Sequence, residues 1–220
     1  MDTAQAQQTP TVQALPARLM AQAVSILLHP LFIPAVVTAL LLYWHPVNRL
    51  LVEPQLRVRL MAMVVVNTIL FPALLVLLLW RLGFMKSVEM RTQRERYIPL
   101  AASLLFYFWA YYVSRSIEAV PPAFLQWMLG VFLCGCAAEF TNIFKKISLH
   151  MIGMGGLVAF MAWQQATDAH WPVWWVPVAL LLAGLVGTAR LLKNAHAPSE
   201  VYAGFLAGII CQLAAGVMVG

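Results

Sequence analysis

The residues of this chain best suited to chemistry gather in the stretch 187–200, where Arg190, His196 and Glu200 fall at the junction of two apolar segments. His196 and Glu200 are four apart, a spacing that lets a carboxylate reach the imidazole from one helical turn away. A carboxylate that accepts from one ring nitrogen fixes the tautomer and leaves the other nitrogen free as a nucleophile or general base. Arg190 adds a permanent cation. Taken alone, such a trio equally describes a solvated interfacial pair beside an arginine. In an apolar chain, however, each of these side chains is costly and marks a functional candidate.

Two further polar groups stand in comparable places. Lys86, Arg91, Arg94 and Arg96 crowd the stretch before one apolar run, and Ser148 and His150 open another. The basic stretch reads as a topology signal or as a cradle for a phosphate. Both groups and the Arg190/His196/Glu200 trio follow even-numbered apolar runs, so a polytopic chain carries all three to one membrane face. Cations there favour a phosphate, one histidine can attack phosphorus, and the other can protonate the departing alcohol. No acidic pair or His/Cys cluster has the spacing of a metal site, so the expected mechanism is metal-independent and needs no cofactor.

The elements that must position these residues are membrane helices. Of 220 residues, 62% are hydrophobic and only 10% charged, against about 25% charged in a water-soluble domain. The expectation is a single all-α, polytopic membrane helix bundle over residues 18–220, with about six to seven transmembrane helices, after a polar tail at 1–17. The net charge of +6 sits mostly in connections between apolar runs, which argues for lipid head groups and topology rather than nucleic acid.

The first run, about 18–44, is interrupted by His29-Pro30 and Pro34. It reads as an interfacial piece leading into a span, or as one kinked span, with His29 structural. Later runs cover about 60–82, 98–113, 123–144, 147 onward, 172–192 and 200–219. Glu139 reads as a partner for Lys145 or Lys146. The Gly153–Gly156 stretch allows close helix contact, and Cys134, Cys136 and Cys211 read as small buried hydrophobes.

Together the three groups resemble the three motifs of the type 2 phosphatidic acid phosphatase (PAP2) superfamily. Its third motif, Ser-Arg-x5-His-x3-Asp, is similar to Ala189-Arg190, five residues, His196, three residues, Glu200. Its second, Pro-Ser-Gly-His, is similar to Ile147-Ser148-Leu149-His150. Its first, Lys-x6-Arg-Pro, finds only looser counterparts in Lys86, Arg91, Arg94 and Arg96, with Pro99 three residues after Arg96.

The resemblance implies a PAP2-like helical core and a phosphatase acting on a lipid phosphate or diphosphate that enters from the leaflet. It implies His196 as the nucleophile that forms a phosphohistidine, Glu200 as its orienting partner and His150 as the acid. Arg190, Ser148, Arg94, Arg96 and Lys86 are then the phosphate ligands. A lipid phosphotransferase, and an anionic-lipid binding or transport protein that uses the same pocket without cleavage, are the alternatives. The expected setting is a bacterial inner membrane, with the basic residues favouring a cytoplasmic-facing site.

Overall fold

The computed structural model describes residues 15–88 and 92–219. The expected tail at 1–17 lies almost wholly outside the described residues, as does Arg91. Residues 15–17 already belong to a helix, α1 (Leu15–Leu27). The His29-Pro30 turn separates it from α2 (Ile33–Ala39), which runs on through a π turn at Leu40–Trp44. Pro30 lacks a backbone donor and disfavours helix at the residue before it, so the first apolar run folds as two short helices. Neither covers the roughly 20 residues a span requires.

Helix α3 (Pro46–Leu51) leads to α4 (Pro54–Val65), a π turn (Val66–Leu70) and α5 (Phe71–Arg81), which form one continuous 28-residue rod. The π turn precedes Pro72, whose ring would clash with the carbonyl four residues back in a regular helix. Then follow α6 (Gln93–Arg115), α7 (Pro122–Phe144), α8 (Leu149–Thr167), α9 (Trp175–Leu192) and α10 (Pro198–Val219).

Among the described residues there is no strand. Five helices are long and apolar enough to cross a membrane: the 54–81 rod, α6, α7, α9 and α10. This is an integral membrane protein built as a helical bundle. Helix α8 is not one of the five, yet α7, α9 and α10 all pack on it. Twelve of its 19 residues are buried, from His150 to Gln164.

Glycine makes the central contact. A Cβ at Gly155 would fall on the Phe205 carbonyl oxygen, and one at Gly208 on that of Ile152. Helices α8 and α10 therefore touch backbone to backbone, as small residues permit in membrane helices. The consequence for the site is register. This contact sets Ser148, just before α8, beside Glu200 at the start of α10.

Candidate functional site

The α9–α10 junction is built by the backbone before any side chain acts. Helix α9 ends in a Schellman motif: Ala195 N–H donates to Arg190 C=O (3.2 Å) and Asn194 N–H to Leu191 C=O (2.9 Å). Asn194 takes the left-handed conformation (φ 49°) that this motif needs. The loop thereby folds back onto the turn that carries Arg190, and Pro198 opens α10 immediately afterwards.

His196 is fixed from one side. Its Nδ1 lies 2.7 Å from Glu200 Oε2, with the two side chains 2% and 15% exposed. The same carboxylate oxygen accepts from Ala197 N–H at 3.3 Å. A carboxylate can only accept, so Nδ1 carries the hydrogen and the lone pair sits on Nε2. His196 lines the cavity. Burial pushes its pKa down from the usual 6.5 to about 4, against the opposing Glu200 bond and with help from Arg190, Lys146 and Arg96. The ring is therefore neutral at physiological pH.

The charged start of α6 contributes one side chain. Thr92 and Glu95 form a capping box, and Gln93 and Asn142 exchange side-chain to backbone hydrogen bonds that tie α6 to the end of α7. One turn later Arg96, 7% exposed, donates from Nη1 to Ile147 C=O at 3.3 Å. Residues two apart on a helix point about 200° apart. With Arg96 facing inward, Arg94 faces outward and is exposed.

Lys86 is exposed too, and its backbone N–H donates to Glu95 Oε1. Of the expected phosphate ligands in this stretch, only Arg96 reaches the cavity; Arg94 and Lys86 do not line it. A cation outside the expected set stands near Arg96 and Arg190, although it does not line the cavity either. Lys146 donates from Nζ to Ala195 C=O at 3.2 Å instead of pairing with Glu139, whose Oε2 has no hydrogen-bond partner. Burial and the nearby Arg96 and Arg190 lower its pKa, with Glu200 opposing.

The second group divides. Ser148 is fully buried, its Oγ has no partner, and its N–H points at Glu200 C=O at 3.4 Å. His150 lines the cavity and its Nε2 lies 2.9 Å from the Ser25 carbonyl on α1. That carbonyl does for His150 what Glu200 does for His196, fixing one nitrogen and leaving the other free.

His29, read from the sequence as structural, lines the same cavity, its ring perpendicular to that of His150 with centroids 5.0 Å apart. A polar residue at a break in an apolar run was the signal.

Five of these side chains surround the head of one cavity of about 210 Å³; Ser148, Lys146 and Glu200 do not line it. Arg96, Arg190, His196, His150 and His29 line one end; below them the walls are Pro72, Leu100, Val131 and Trp127 among others, with the Gln212 amide. From Ala138 to Trp127 along α7 the cavity follows roughly 16 Å of helix, about half the hydrocarbon thickness. Among the described residues the buried Arg190 Nε has no hydrogen-bond partner. The head therefore combines fixed cations and two further imidazoles with His196, whose partner carboxylate is that of Glu200. It suits an anion attached to an apolar chain.

No family model, no curated protein and no solved structure matches the chain.

Proposed function

We propose that the chain is a metal-independent lipid phosphate or diphosphate phosphatase working through a phosphohistidine on His196. One observation carries the reading. A neutral imidazole, fixed by Glu200 at 2.7 Å, lines a cavity beside two guanidiniums, and that cavity continues as an apolar channel into the bundle.

In this reading Arg96 and Arg190 hold the phosphoryl oxygens with planar donor forks, and Lys146 adds positive charge behind them. The Ser148 hydroxyl, buried at the start of α8 without a hydrogen-bond partner among the described residues, is a neutral donor that does not itself line the cavity. The apolar channel takes the lipid chain. His196 Nε2 attacks phosphorus and the bond from phosphorus to the lipid oxygen breaks; the proton for that oxygen arrives with the monoanionic phosphate group and passes through His150 Nδ1, the unprotonated nitrogen, since Nε2–H is held by Ser25. Water then attacks the phosphohistidine, giving its proton to His150 and releasing phosphate. The enzyme belongs in this view to a bacterial inner membrane, with its site toward the cytoplasm, and has the PAP2-like core that its motifs resemble.

The test is phosphate release by detergent-purified protein, in EDTA, from phosphatidic acid, phosphatidylglycerophosphate and prenyl diphosphates, alongside His196→Ala. Release by wild type that disappears in the variant is expected. Lipid binding without release by either protein would replace the enzyme with an anionic-lipid binding protein.

A further inference from the structure

His29 lies on the turn between α1 and α2, outside all three charged groups. The turn is well defined by backbone bonds, His29 N–H to Ile26 C=O (3.3 Å) and Phe32 N–H to His29 C=O (2.9 Å). The ring is held as well, because Leu31 N–H donates to His29 Nδ1 at 3.3 Å. A nitrogen that accepts a hydrogen bond carries no hydrogen, so the neutral ring has its N–H at Nε2. Protonating Nδ1 would set two N–H groups against each other, which keeps this histidine a neutral donor. Burial, and Arg190 second, lower its pKa in the same sense.

His29 and His150 are therefore not equivalent, although their rings meet at 5.0 Å. His150 spends its Nε2 on the Ser25 carbonyl. His29 has an Nε2–H with no partner among the described residues, on a side chain that lines the cavity with Arg96, Arg190 and His196. His29 is half-buried, so its N–H can take an acceptor that enters the cavity, and an anion's oxygen is what the charges of this cavity select.

We propose that His29 is a phosphate-binding residue of this site, donating its Nε2–H to an oxygen of the bound phosphate group from the turn that closes the cavity beside His150. The proposal rests on the reading of the cavity as a phosphate site. It makes the α1–α2 turn part of that site, with Ser25 orienting one histidine and His29 supplying a neutral donor next to the arginines.

The experiment reads binding instead of turnover, so it stands apart from whether the protein is a phosphatase. Titration calorimetry of inorganic phosphate and of orthovanadate is run on detergent-purified wild type, His29→Phe and His29→Gln, with thermal unfolding as the control. Gln places an amide N–H near the position of Nε2; Phe keeps the ring and removes the donor. The expected result is a loss of about tenfold or more in affinity for His29→Phe, the effect of one hydrogen bond to a charged group, and a loss of less than about threefold for His29→Gln. Wild-type affinity in His29→Phe would overturn the proposal, as would equal losses in two well-folded variants. His29→Leu takes the place of Phe if the larger ring prevents folding. Failure of wild type to bind either anion would overturn the phosphate site itself, whereas binding without turnover would remove only the phosphatase reading.

Discussion

The Ser148 N–H points at the carbonyl oxygen of Glu200, 3.4 Å away, while the carboxylate of the same Glu200 holds His196 at 2.7 Å. One residue thus joins the start of α8 to the start of α10 through its backbone and fixes His196 through its side chain. The α8–α10 glycine contact keeps this junction in register.

Glu200→Ala should lower kcat by about a hundredfold or more, the scale of an orienting contact in acid–base and nucleophilic catalysis. The carboxylate raises the His196 pKa, so its removal leaves the ring neutral and costs orientation rather than charge state. Glu200→Gln retains an acceptor oxygen and should fall between wild type and Ala. Steady-state kinetics on one lipid phosphate decide it, and a Glu200→Ala enzyme as fast as wild type would remove the orienting role.

The protonation of His196 is directly measurable. Its folded pKa of about 4 lies below the ordinary 6.5, so between these values the unfolded chain binds more protons than the folded one. This residue's contribution to stability is present above about pH 6.5 and is lost as pH falls toward 4. Carbethoxylation requires neutral imidazole. Site-resolved mass spectrometry should show the His196 rate holding down to about pH 5, and a midpoint near 6.5 would contradict the geometry.

Arg96 and Arg190 should respond differently from Arg94 and Lys86. Arg96→Lys and Arg190→Lys keep the charge and lose the planar fork, and should reduce kcat/KM by about tenfold to a hundredfold. Arg94→Ala and Lys86→Ala, exposed and off the cavity, should stay within about twofold of wild type. A large loss at Arg94 would show that the α6 start rearranges when lipid binds.

The fold was legible where chemistry and span length are periodic. The apolar runs gave the later helices to within a few residues, and the third charged group stood out because Arg, His and Glu are rare in such a chain. Two kinds of information were not in the pattern. Which of Arg94 and Arg96 faces inward depends on where α6 starts, which the Thr92/Glu95 cap decides. The place of His29 over His150 depends on how α1 folds back against α9, a tertiary contact with no local signal. The Gly153–Gly156 stretch did announce a close contact, although its partner, Gly204 to Gly208, was not identified.

Gly208→Leu tests that contact. The side chain would collide with the Ile152 carbonyl and the Gly156 amide, separating α8 from α10. Overpacking of this kind costs about 1–3 kcal/mol, or more against backbone. A lower thermal midpoint in detergent and loss of phosphate release should occur together; an unchanged midpoint would show that the helices have room to part.

The central claim is a covalent bond between phosphorus and His196, and the direct measurement is to trap it. Purified protein is mixed with a lipid phosphate radiolabelled on phosphorus, quenched in alkali at short times and digested for mass spectrometry. The account predicts an alkali-stable, acid-labile phosphoryl group on the peptide carrying His196, appearing before free phosphate and absent from His196→Ala. Full phosphate release with no label on that peptide at any time, or release by His196→Ala at the wild-type rate, would contradict it.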